Sequence, residues 1–80
     1  MILFTRHSLE RMKQRGISRD TVIRAIDSPN SVVPDNYGNR VAQVMEGDTM
    51  LRVVFREEGR DLLVITVYRT TKLQKYPKGL

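Results

Sequence analysis

The residues best suited to chemistry lie together near the start of the chain, in Thr5-Arg6-His7-Ser8-Leu9-Glu10-Arg11-Met12-Lys13-Gln14-Arg15-Gly16-Ile17. His7 is the single histidine among 80 residues, and imidazole is the side chain that exchanges protons near neutral pH. His7, Arg11 and Arg15 follow an i, i+4, i+8 spacing, so on a helix they form a ridge drifting by about 40° per step. A proton-exchanging ring beside two guanidinium groups, whose planar forks match phosphate, suits a polyanionic ligand. A second set of arginines lies in residues 50–56. There Leu51, Val53 and Phe55 alternate with Arg52, Val54 and Arg56, so one strand face is apolar and the other half basic. Metal chemistry is not expected: cysteine is absent, the acidic residues are scattered, and no ligand spacing links them to the histidine. Glycine-rich phosphate loops, nucleophile elbows and dinucleotide motifs are also missing, so no cofactor is expected.

The elements that must hold these residues follow from caps and periods. Thr5 can cap a helix that begins at Arg6, and Gly16 can end it in the left-handed conformation. Ser18 caps a second helix with Val22, Ile23, Ala25 and Ile26 on its apolar face, and Pro29 stops it. Residues 2–4 read as a short strand or an apolar lead-in. From Ser31 the period changes from helical to alternating, and β-branched residues dominate. Residues 32–33 form an edge or entry strand interrupted by Pro34, and 35–39 a turn. Strands follow at 40–46, 50–56 and 62–68, the last apolar on both faces and therefore expected in the middle of the sheet. The expected architecture is α+β in the order (β)-α-α-β-β-β-β, a helical hairpin packed on a four-stranded antiparallel curved sheet. Residues 1–70 make one domain and 71–80 a basic C-terminal tail. On the uncovered face, Arg52 and Arg56, with either Tyr68 or its neighbours, would form a shallow basic surface.

The totals narrow the class. A chain this short buries only about 60% of its unfolded surface, which allows a small core. Fourteen Lys and Arg, ten of them Arg, oppose nine Asp and Glu to give a net charge of +5, which favours a polyanion or an acidic protein partner. No apolar run approaches the roughly 20 residues of a membrane span, and residues 1–4 lack the features of a secretory signal. A cytoplasmic location is expected.

His7, Arg11-Met12, Arg15-Gly16-Ile17-Ser18, Leu51-Arg52-Val53-Val54 and Val64-Ile65-Thr66-Val67-Tyr68-Arg69-Thr70 together resemble a family of small prokaryotic domains grouped with the RelE/ParE-like toxins. More broadly they resemble the ribonuclease fold of barnase-type and colicin-type enzymes. The resemblance covers about residues 3–70. It implies a RelE-like fold and a metal-independent ribonuclease acting as the toxin of a toxin–antitoxin pair. The implied partners are RNA, free or on the ribosome, and a cognate acidic antitoxin, and a homodimer is compatible. It also carries over His7, Arg11, Arg52, Tyr68 and Thr70 as catalytic candidates and Arg15 as a nucleic-acid-binding candidate.

Metal-free RNA cleavage needs a base for the 2′-hydroxyl, an acid for the leaving 5′-oxygen and cations for the phosphorane charge. His7 could serve as base or acid, Arg11 and Arg52 could stabilise the transition state, and Tyr68 could donate a proton or stack a base. Arg15, Arg56, Arg69, Lys72 and Lys75 would track the RNA backbone. Each also has an ordinary structural job: Arg52 on an exposed sheet face, Tyr68 packed with its hydroxyl satisfied, Thr70 ending a strand. Two other function classes fit the same residues: a non-catalytic nucleic-acid- or ribosome-binding module, and a protein-interaction domain docking an acidic partner.

Overall fold

In the computed structural model, which describes residues 1–73, the chain runs β1 (Ile2–Phe4), α1 (Arg6–Arg15), α2 (Arg19–Asp27), β2 (Ser31–Pro34), β3 (Arg40–Glu46), β4 (Thr49–Glu58) and β5 (Asp61–Thr70). The class is α+β, with two helices and a five-stranded mixed sheet. Both helices start where their caps dictate: the Thr5 hydroxyl accepts from the Ser8 N–H at 3.0 Å, and the Ser18 hydroxyl from the Thr21 N–H at 3.1 Å. Gly16 ends α1 at φ 64°, ψ 34°, its N–H directed at the carbonyls of Lys13 and Met12. A Cβ is strained in that left-handed geometry.

The strand order is β1-β5-β4-β3-β2. The last four strands in sequence make the expected antiparallel meander, but the sheet has five strands, not four, and it is mixed. β1 pairs in parallel with Leu62–Val64 of β5. The helix pair and the meander return the chain beside β1 running in the same direction, and Leu62 N–H to Met1 O (3.0 Å) and Thr5 N–H to Val64 O (3.1 Å) extend the pairing. Three apolar residues have no alternation long enough to announce this ladder.

The centre of the sheet is β4, not β5. β5 reads as apolar on both faces because of a bulge: the pairing passes from Val54↔Thr66 to Phe55↔Val64, leaving Ile65 as an extra residue. Val64 and Val67 therefore both stay in the main core, while Ile65 joins a second cluster on the opposite face.

The main core joins Met12 of α1 and Val22 and Ala25 of α2 to Ala42, Leu51, Val53, Phe55, Val64 and Val67. Each fully buried valine contributes about 1.5–3 kcal/mol. Ile23, expected on the buried face of α2, is 40% exposed, because Val22 and Ala25, one turn apart, already fill the contact. α1 is fastened to β5 beyond the end of β1. The Thr5 hydroxyl donates to Ile65 O at 3.1 Å, and Arg15 Nη1 donates to Val67 O at 2.9 Å. Among the described residues, no helix is long and apolar enough to cross a membrane.

Candidate functional site

The face of the sheet away from the helices carries a row of four polar side chains directly opposite one another. They are Ser31 on β2, Gln43 on β3, Arg52 on β4 and Tyr68 on β5. Strand register alone aligns them, since side chains of facing residues share one side of a sheet. They are linked by hydrogen bonds. Arg52 Nη1 donates to the Tyr68 hydroxyl at 2.6 Å, Arg52 Nε to Gln43 Oε1 at 3.1 Å, and Gln43 Nε2 to Ser31 Oγ at 2.9 Å. The guanidinium carbon also lies 5.6 Å from the centre of the Tyr68 ring.

Arg52 occupies the predicted face but is only 6% exposed, which corrects the expectation of a solvated arginine. The cause is the adjoining apolar cluster of Val33, Val41 and Val54, against which Ile65 and Tyr68 pack. A guanidinium taken out of water must be hydrogen-bonded, and the polar row supplies those bonds at fixed positions.

Arg52 and Tyr68 line a groove of about 560 Å³ whose far rim is the β2–β3 loop, with Asp35, Tyr37 and Asn39. The loop is organised by Asp35. Its Oδ1 accepts from the backbone N–H groups of Tyr37 (2.8 Å) and Asn39 (2.7 Å), and its Oδ2 accepts from the Asn39 side-chain amide (2.9 Å). Desolvation pushes the Asp35 carboxyl up. The Asn39 side chain, the Tyr37 and Asn39 amides and the Arg52 guanidinium outweigh it, holding the group below its ordinary value. The groove thus combines a fixed cation, an ionised carboxylate and a phenol whose oxygen accepts from Arg52. A guanidinium and a phenol are groups that contact anionic oxygens, while the ionised carboxylate on the far rim opposes a second anion beside it.

The remaining predicted residues are distributed. His7 is exposed on α1, whose buried Met12 packs on the opposite face of the sheet from Arg52 and Tyr68. Arg11 is half-buried and donates to Gln14 at 3.1 Å. Arg15 binds the β5 backbone, and Arg69 pairs with Glu46 at 2.8 Å and reaches the Arg15 carbonyl at 3.5 Å. Arg56 pairs with Glu58 at 2.7 Å. Thr70 ends β5, its hydroxyl accepting from the Lys72 N–H at 3.0 Å, and Lys72 is exposed. Lys75 and tail residues 74–80 lie outside the described residues. The structure brings together Arg52 and Tyr68, and separately Arg15 and Arg69.

Gln43, Ser31, Asp35 and Tyr37 were not among the expected site residues. A polar residue inside the apolar run Val41-Ala42-Gln43-Val44 was the available signal for Gln43. An Asp opening a five-residue turn was the signal for Asp35. Among the described residues, no group of three or more acidic or imidazole side chains could hold a metal ion.

No curated protein and no solved structure matches the chain. A family model does match, over residues 4–69, which takes in both helices and nearly all of the meander: the chain belongs to the family described as a domain of unknown function, DUF4258.

Proposed function

We propose that this domain binds RNA across the sheet face opposite its helices and cleaves it without metal, as the RelE-like toxin of a toxin–antitoxin pair. The observation that carries the reading is Arg52: a nearly buried guanidinium held by Gln43 and Tyr68 beside a groove. Preorganised donors aimed at developing phosphorane charge are the largest single contribution that a metal-free nuclease can make. The RelE-like assignment is supported by the element order, a helix pair followed by an antiparallel meander. The +5 net charge supports both an RNA substrate and an acidic antitoxin that masks the same face.

In this reading the 2′-hydroxyl attacks the adjacent phosphorus and loses its proton to a base, while the departing 5′-oxygen takes a proton. A 2′,3′-cyclic phosphate and a free 5′-hydroxyl result. Arg52 neutralises the phosphorane, and the Tyr68 hydroxyl is the donor beside it. His7 is the proton-exchanging ring, carried by the helix that Thr5 and Arg15 fasten to the edge of β5. Because His7 lies across the sheet from Arg52 and Tyr68, its action at the same phosphate requires the strand to turn over the uncovered edge of β5, and this is the step that the His7→Ala variant tests. The separation of His7 from the groove also favours a second reading, an RNA-binding or ribosome-binding module that does no chemistry.

Labelled RNA, naked with a chelator and on translating ribosomes, tests both readings. Substitution His7→Ala is expected to lower cleavage by roughly 10²–10⁴ with unchanged melting, because His7 is exposed. Undiminished cleavage by that variant removes His7 from the mechanism. Retention of RNA without product in either arm selects the binding module, and absence of salt-sensitive RNA binding refutes both.

A further inference from the structure

Tyr37 is 87% exposed at the tip of the β2–β3 loop. An exposed aromatic ring on a mobile loop would be unremarkable, but this one stands on a braced mount. Asp35 accepts from three N–H groups of residues 37 and 39, the Asp35 N–H donates to Asn39 O at 3.0 Å, and Gly38 supplies the positive φ of 82° that closes the turn. The backbone that carries the ring is therefore held at a defined position, and the ring itself adds nothing to either apolar cluster. It lines the same groove as Arg52 and Tyr68.

We infer that Tyr37 is a base-stacking platform for single-stranded RNA, taking the base of a nucleotide whose phosphate lies at Arg52. This rests on the RNA reading above and adds how the groove recognises its substrate class. A π face accepts any base, so an exposed aromatic next to a phosphate-binding cation is a sequence-tolerant device for single strands. A duplex, with its bases already stacked, offers nothing to that ring. The groove volume of about 560 Å³ falls in the range of small-ligand clefts, about 300–1,000 Å³, which suits one nucleotide. The brace around Asp35 means that little loop entropy is lost on binding.

The chain contains no tryptophan, so Tyr37→Trp introduces a single fluorescent reporter at the site. It is titrated with a short 2′-O-methyl RNA, which lacks the attacking hydroxyl and stays intact, with an abasic strand of equal length, with duplex RNA, and with an acidic peptide. Binding by the wild type and by Tyr37→Ala is followed in parallel by anisotropy of labelled ligand. The expected result is quenching by the base-bearing single strand but not by the abasic strand. Loss of Tyr37 should weaken the single strand by about fivefold or more and leave abasic binding unchanged. Equal RNA affinity of Tyr37→Ala and the wild type overturns the stacking role and leaves RNA binding standing. Failure of the wild type to bind RNA at low salt overturns the RNA reading itself. Quenching by the acidic peptide alone overturns the stacking role in favour of protein docking.

Discussion

Removing the Tyr68 hydroxyl tests the polar row at its shortest contact. Tyr68→Phe keeps the ring beside the guanidinium but deletes the acceptor of the 2.6 Å bond from Arg52 Nη1. A hydrogen bond to a charged group contributes about 1.5–3 kcal/mol, and stranding one partner in a buried setting adds its desolvation cost. With Arg52 only 6% exposed, the loss should be about 2 kcal/mol. For a domain of this size, at roughly 4–8 °C per kcal/mol, that lowers Tm by about 8–16 °C. The decisive measurement is a double-mutant cycle by denaturant unfolding, with Arg52→Met as the second background. Arg52→Met removes the donor and the buried charge together, so its own effect can take either sign. In that background Tyr68→Phe should cost less than in the wild type, the difference being the coupling between the hydroxyl and Arg52. If Tyr68→Phe costs the same in both backgrounds, the contact contributes nothing and the groove is not organised by this pair.

Two further perturbations probe what holds the site in position. Thr5→Val preserves shape but loses both the cap to the Ser8 N–H and the bond to Ile65 O; denaturant midpoints should report a loss of about 2 kcal/mol, against near zero if α1 is held by packing alone. Because the folded value of Asp35 is depressed below its ordinary 3.8, its stabilising effect on the loop is fully present above that pH and is lost as pH falls through the lower folded value. The backbone amide resonances of Tyr37 and Asn39 should therefore titrate with a midpoint below 3.8 and should not titrate in Asp35→Asn; a midpoint at or above that value contradicts the bracing role.

The parts of this fold that could be read from sequence are those fixed by local chemistry. Thr5, Ser18 and Gly16 cap the helices through backbone groups within a few residues, and alternation at 50–56 separates Leu51 and Val53 from Arg52. What escaped depends on partners distant along the chain. The parallel pairing of β1 with β5 joins residues about 60 positions apart, and nothing in Ile2-Leu3-Phe4 encodes its partner. The bulge at Ile65 hides in an unbroken apolar run, where either register gives plausible faces. The burial of Arg52 follows from valines on β2 and β3 that share its face, and the Gln43 side chain becomes its acceptor only once β3 and β4 are in register. The candidate site was legible as residue types, whereas its grouping into one polar row required the sheet.

The two arginine sets must then be tested differently, because burial and hydrogen bonding assign them different duties. Arg15 holds a β5 carbonyl and, through its own carbonyl, receives Arg69, so truncating either side chain loosens α1 and changes any activity indirectly. Arg52 carries charge into the groove and at the same time bonds two strands through Gln43 and Tyr68, so its loss mixes chemistry with stability. His7 and Tyr37 have neither entanglement: both are exposed, and neither belongs to an apolar cluster. Loss of function at those two positions with unchanged melting reports contact with a ligand, and it does so on opposite sides of β5. If both are required for one RNA, the strand must cross the edge of β5 between residues 65 and 70, the stretch that β1 leaves uncovered. If only Tyr37 matters, the groove binds RNA without the imidazole, and the domain acts by occupancy rather than by cleavage.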